Sequence, residues 1–160
     1  MSNPTYYLTA TGNGHSPDGT IPPGAIACTQ AQYEGGYIAV NGAAALPPAP
    51  TFTLAQQATA ALSAGLAITS TGTPALDATY PCDANTQAQL SAEVISLMLN
   101  STFADGTTSI DWVDVNRTGH TMTAAQFKTV ATAIGAYVSA LTKCINGQST
   151  TLPASSVTIS

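Results

Sequence analysis

The sequence predicts an α+β fold: a small N-terminal β arm, a Pro-rich joint, and a C-terminal helical domain with a short β-hairpin. Three observations predict it. Residues 1–46 hold short β-prone runs separated by Gly, Pro and Asn turn signals. Leu46-Pro47-Pro48-Ala49-Pro50 is a stiff run of polyproline II type. Beyond it lie three stretches with apolar residues at helical spacing. The expected boundaries are 1–46 for the β-rich arm and 47–52 for the linker; the helical domain takes 53–147 with its hairpin near 109–122, and 148–160 is a polar tail.

In the arm, Tyr6-Tyr7-Leu8-Thr9-Ala10-Thr11 is β-prone and is expected to end at Gly12-Asn13-Gly14. Asp18-Gly19 and Ile21-Pro22-Pro23-Gly24 are turn signals. Thr29 can cap one helical turn running to Glu34. Tyr37-Ile38-Ala39-Val40 reads as a strand closed by Asn41-Gly42. Strands so few and short are marginal alone and need a partner surface.

Past the joint, Thr53 and Gln56 fit a capping box for a helix over about 53–68, with Leu54, Ala58, Ala61, Leu62 and Ile68 as a thin apolar stripe. Asp83 is a good N-cap for a second helix over about 84–100. Its Leu90, Val94 and Leu97, with Ile95 and Met98, make a wider apolar face. Ser109–Val115 reads as a strand, Asn116-Arg117-Thr118-Gly119 as a turn, and His120-Thr121-Met122 as the returning strand. Thr123 and Gln126 form another capping-box pair. The helix they open carries the strongest periodic signal: Phe127, Val130, Ile134, Tyr137, Val138, Leu141 and Ile145. Asn146-Gly147 stops it. The tail beyond has one late β-prone run, Val157-Thr158-Ile159.

Composition narrows the function. Only 7% of the residues are charged, and Lys plus Arg number 3. Non-specific electrostatic binding of nucleic acid needs many more bases, so no nucleic-acid partner is expected. No apolar run approaches the length of a membrane span, so no membrane insertion is expected either. The start, MSNPTYYLTATGNG, lacks the basic-then-apolar layout of a secretory signal. All 8 acids lie at or before Asp114, and all 3 bases at or after Arg117. That asymmetry follows either from sparse charge or from a head-to-tail electrostatic match in an assembly. With little charge to keep copies apart, self-association stays open.

Catalytic and cofactor patterns are missing from the sequence. There is no GxSxG elbow, no CxxC and no Gly-rich phosphate cradle followed by Lys. Asp111 and Asp114, three apart, point to opposite faces of a strand and do not form a carboxylate pair. The expectation is no enzyme, no cofactor and no metal. Cys28, Cys82 and Cys144 read as unpaired thiols, with one disulfide plus a leftover Cys as the alternative. His15 reads as a solvated loop residue, and His120 as structural, within reach of a carboxylate across the hairpin. Trp112 either packs on the third helix or anchors a partner. Tyr6, Tyr7, Tyr33 and Tyr37 crowd an arm too small to bury them, so they and Trp112 are the candidate partner-interface residues.

The order of motifs resembles bacteriophage tail fibre assembly proteins. Their N-terminal segment is similar to Tyr6-Tyr7-Leu8, Ile21-Pro22-Pro23-Gly24-Ala25, Thr29-Gln30-Ala31-Gln32-Tyr33 and Gly35-Gly36-Tyr37-Ile38, followed by a Pro-rich joint. Their small C-terminal domain, of unknown-function type, is similar to Tyr80-Pro81-Cys82-Asp83-Ala84-Asn85-Thr86-Gln87, Ile110-Asp111-Trp112, Met122–Phe127 and Ala136-Tyr137-Val138. The resemblance spans most of residues 5–145. It implies a chaperone that binds the distal part of a trimeric tail fibre, working in the host cytoplasm during assembly. The chain departs from the family in one helix: residues 53–68 carry no charge where the family is rich in Glu and Lys. That suits a protein that remains on the virion tail. The alternative is a permanent structural fibre or tip protein touching host saccharide through loops near His15 and 116–120.

Overall fold

Thr5–Thr9 forms strand β1, the centre of a three-stranded sheet, in the computed structural model, which describes residues 4–160. The first three residues of the expected arm lie outside the described residues. β1 pairs antiparallel with β2 (Gly12–Ser16) on one side and β3 (Ile26–Cys28) on the other. The expectation that Gly12-Asn13-Gly14 ends the strand is therefore corrected: these residues open β2. Glycine serves there for a packing reason. Gly14 sits opposite Tyr7, and a Cβ at Gly14 would stand 2.5 Å from the tyrosine ring.

Helix α1 (Gln30–Glu34) follows, closed by a reciprocal cap. The Gln32 N–H donates to the Thr29 hydroxyl, and the Thr29 N–H donates to the Gln32 side chain. Strands β4 (Ile38–Val40) and β5 (Ala43–Ala45) pair as a hairpin. Asn41 (φ 51°) and Gly42 (φ 78°) supply the two left-handed residues such a tight turn needs. Leu8 is the one apolar side chain fully buried among the described residues of this unit.

Residues 46–53 carry no regular structure, and the chain divides into two compact units between Thr51 and Phe52. In the second unit, helix α2 (Leu54–Ala64) begins with the expected Thr53–Gln56 box but ends four residues earlier than the stripe suggested. Gly65 stops it, at φ 87° and ψ −176°. Leu66–Ser70 then becomes strand β6, with Leu66, Ile68 and Ser70 inward. A 3-10 turn (Pro74–Leu76) leads to β7 (Ala78–Tyr80), antiparallel to β6.

Helix α3 (Ala84–Asn100) starts at Asp83, as its cap predicts. Strands β8 (Ser109–Val113) and β9 (Gly119–Thr123) form the expected hairpin. Helix α4 (Ala124–Ile145) follows, with its Thr123–Gln126 box formed. The 148–160 segment is not a loose polar tail. Ser156–Ile159 is strand β10, paired parallel with β6, so the sheet order is β10-β6-β7. The domain expected to be helical thus contains a three-stranded mixed sheet as well as its hairpin, and the α+β class holds.

The core is built around α4. Phe127, Val130, Ile134 and Leu141 are fully buried along it, against α2 and α3. Phe127 meets Phe103 edge-on (ring centroids 5.3 Å) and Trp112 likewise (5.1 Å). The apolar face of α3 is only partly used: Leu90 and Leu97 are buried, whereas Met98 and Leu99 are 74% and 77% exposed.

Asp83 holds the start of α3. Its Oδ1 accepts the N–H groups of Asn85 (2.9 Å) and Thr86 (3.0 Å), and its Oδ2 accepts the Thr86 hydroxyl (3.0 Å). The Thr86 backbone bond first, then the Thr86 hydroxyl, holds its carboxyl below the usual carboxylate range. A carboxyl whose folded pKa is depressed stabilises fully above its unfolded value, about 3.9, and loses that contribution as pH falls through the folded value. Asp83→Ala should cost about 1 kcal/mol at neutral pH. In urea titrations the deficit should shrink on acidification below about pH 4; a deficit independent of pH would contradict this.

Candidate functional site

Strand alternation sorts the aromatic residues of the first unit onto two faces. Tyr6, Leu8, Asn13, His15, Ile26 and Cys28 share one face through the register of β1 with β2 and β3. Helix α1 lies on that face, where Tyr33 stands 5.1 Å from Tyr6 and 6.1 Å from His15, centroid to centroid. The Asn13 side-chain amide donates to the Tyr33 carbonyl (2.7 Å), tying β2 to α1. Tyr7 lies on the other face, across Gly14. Tyr37 packs beside Gly35, a Cβ at which would be 3.2 Å from its ring.

Of the sequence candidates, then, the structure brings Tyr6 and Tyr33 together and leaves Tyr7 and Tyr37 apart from them. All four tyrosines are half-buried. His15, read as a loop residue, joins the Tyr6–Tyr33 cluster instead. Its signal was present but weak: His15 directly opposes Tyr6 once Gly12–Ser16 is paired as a strand. The outer edges of β2 and β3, and both outer edges of the β4–β5 hairpin, have no strand partner among the described residues.

Trp112 is corrected from a displayed anchor to a buried residue. It is 7% exposed and packs in the core, because β8 turns it inward against α4.

His120 forms a clasp. Its Nδ1 is 2.7 Å from the Ala75 carbonyl, and its Nε2 is 3.4 Å from Asp114 Oδ2. A carbonyl only accepts, so Nδ1 carries a proton. Asp114 Oδ1 also accepts the N–H groups of Asn116 and Thr118, both at 2.8 Å. The Thr118 bond is the main reason its carboxyl is held below the usual range; the His120 contact adds to it. No serine, threonine or cysteine side chain bonds the imidazole among the described residues. This pair fastens the hairpin to the 3-10 turn and has no nucleophile to activate.

An apolar groove of about 650 Å³ runs between α3 and α4, lined among others by Leu90, Val94, Met98, Ile134, Gly135 and Val138. It holds no cluster of titratable groups. Among the described residues no set of three His, Cys, Asp or Glu is placed to hold a metal, and no helix is long and apolar enough to cross a membrane.

The family model of a domain of unknown function (DUF4376) matches residues 45–143, more than half of the chain. The chain belongs to the DUF4376 family. No curated protein and no solved structure matches it. The DUF4376 segment takes in the joint and runs from α2 into the last turn of α4. Strands β1 to β4, α1 and β10 lie outside it, so the tyrosine-bearing sheet is a separate unit joined to the DUF4376 segment.

The three thiols differ in reach. Cys82 and Cys144 are buried, and Cys28 is half-buried on β3; none is paired. Burial pushes the Cys82 thiol up to about 11, and Cys144 Sγ donates to the Thr151 carbonyl at 3.1 Å. A maleimide or disulfide reagent should therefore modify Cys28 of the native protein first, with Cys82 and Cys144 reacting only on unfolding. Mass mapping of early adducts checks this; prompt labelling of Cys82 would contradict the packing.

Proposed function

We propose that this chain is a bacteriophage tail fibre assembly protein that binds the distal part of a trimeric fibre and remains on the virion tail. One observation carries the proposal. Among the described residues the first unit has a single fully buried apolar side chain, Leu8, yet displays four half-buried tyrosines and several unpaired strand edges. Such a unit gains stability by adding strands to, or stacking on, a partner with open edges of its own. A fibre chain before its three copies register has such edges, and covering them lowers the population of mispaired states. The motif order supports the same reading, with a β arm followed by the DUF4376 segment, which begins at the Pro-rich joint. Binding of this kind uses no cofactor and makes no covalent bond.

Co-expression with the fibre gene of the same phage tests it. The fibre should stay soluble as a trimer with this chain present and aggregate without it. Replacing Tyr6 and Tyr33 by Ser should weaken that rescue. Unchanged fibre solubility would overturn the chaperone role. Mass spectrometry of purified particles should find stoichiometric copies; none would remove the virion-tail part of the proposal.

A further inference from the structure

Among the described residues, the hairpin of the second unit leaves one strand edge open onto a cleft. Asp114 N–H donates to the Thr118 carbonyl (3.0 Å), so the backbone groups of Asp114, Trp112 and Ile110 point across to β9. Those of Asp111 and Val113 then point the other way. Val115, further along the same edge, donates its N–H to the Thr79 carbonyl (2.9 Å), so β7 begins to pair there. The pairing goes no further: the chain passes through Pro81 into the Asp83 cap of α3. Between the unpaired stretch of β8 and α3 lies a cleft of about 490 Å³. Its wall includes every residue from Ile110 to Asp114. A cavity over a sheet face would touch alternate residues; consecutive ones mean that it faces the strand's edge.

The cleft is acidic. Glu93, Asp111 and Asp114 line it, and no lysine or arginine does. Glu93 uses one oxygen on the Ala104 N–H (2.9 Å), and Asp111 one on the Thr121 hydroxyl (2.5 Å). Trp112 also lines the wall, and its buried indole N–H has no acceptor.

We infer that this cleft takes an extended peptide segment bearing Lys or Arg, which adds as a strand to the free edge of β8. Main-chain bonds to Asp111 and Val113 supply the alignment, and the carboxylates of Glu93 and Asp111 select a basic side chain. Arg117, Lys128 and Lys143 lie in the hairpin turn and on α4 and do not line the cleft, and the occupant proposed is a segment of a partner polypeptide. The inference rests on the second unit alone and holds whether or not the first unit serves a fibre.

The test uses the full chain with two labelled synthetic peptides, one alternating Thr and Lys, the other alternating Thr and Glu. Fluorescence anisotropy should show binding of the Lys peptide, weakened by salt, and no binding of the Glu peptide. On binding, amide exchange should slow at Asp111 and Val113, and the emission of Trp112 should shift. The double variant Glu93→Gln with Asp111→Asn should bind about tenfold more weakly. Val113→Pro removes an outward N–H without touching the β8–β9 ladder, and should abolish binding while the protein still melts cooperatively. Equal affinity for both peptides would overturn the proposal. So would Lys-peptide binding that leaves the Asp111 and Val113 amides unprotected, a readout that stands even if Val113→Pro fails to fold.

Discussion

Phe127→Ala should destabilise the second unit by about 3–5 kcal/mol, the range for truncating a buried aromatic. Phe127 is fully buried on the first turn of α4. Its ring receives Phe103 on one side and Trp112 on another, so its loss removes contacts from the loop after α3 and from β8 together. The cavity cannot close by moving one neighbour, because each neighbour is held by a different element. Phe127→Leu, which keeps most of the volume, should cost about 1.5 kcal/mol. Urea titration of both variants, followed by the fluorescence of Trp112, gives the comparison. A Phe127→Ala loss no larger than that of the leucine variant would refute the role of this ring as the joint of the core. Against a typical total stability of about 5–15 kcal/mol, that loss is a large share of what holds the unit folded.

Gly65→Ala should cost at least about 3 kcal/mol, for two independent reasons. Its φ of 87° with ψ of −176° is a conformation that residues with a side chain rarely adopt. A Cβ there would also stand 2.5 Å from the Tyr80 carbonyl oxygen. That oxygen belongs to β7, whose Tyr80 pairs with Leu66 next to the glycine, so the backbone cannot yield without parting the two strands. The same exchange at Gly135, on α4, is the control. A Cβ at Gly135 meets nothing within 4 Å, and alanine favours helix by about 1 kcal/mol. Thermal melts should therefore move in opposite directions; a Gly65→Ala melting temperature at or above the parent's would contradict the geometry.

These two residues mark how unevenly the fold can be read. The starts of α2, α3 and α4 were legible because a cap is a contract between residues three apart. The pairs Thr53–Gln56 and Thr123–Gln126 and the Asp83 carboxylate form the bonds their spacing suggests. The period of α4 was legible too, because Phe127, Val130, Ile134, Tyr137 and Leu141 recur on one face whatever lies opposite. The end of α2 was misread. Leu66 and Ile68 fit a helical stripe as well as a strand's inward face, and short apolar runs do not separate the two.

The candidate site was legible in part. The four tyrosines were visible as a group too dense for the arm, but their division between faces was not. It depends on β2 being a strand, and its sequence, Gly-Asn-Gly-His-Ser, has little β propensity. Tyr7 over Gly14 supplies what that sequence lacks. Trp112 went inward for a similar reason: the alternation of β8 is mixed, and its inward face was decided by Phe127 across the core.

By itself the sequence determined the α+β class, the capped helices, the β8–β9 hairpin and the poverty of charge, all properties written in residues close together along the chain. Only the tertiary structure decided that 156–159 is a strand. β10 joins β6 in parallel across nearly the whole second unit, with the Thr71 N–H donating to the Ile159 carbonyl at 2.9 Å. Parallel strands need a long crossover, and nothing local announces one. Which edge such a strand finds depends on which edge the earlier elements leave open: β10 took the free side of β6, while β8, cut off from β7 by the turn into α3, kept an edge unpaired among the described residues.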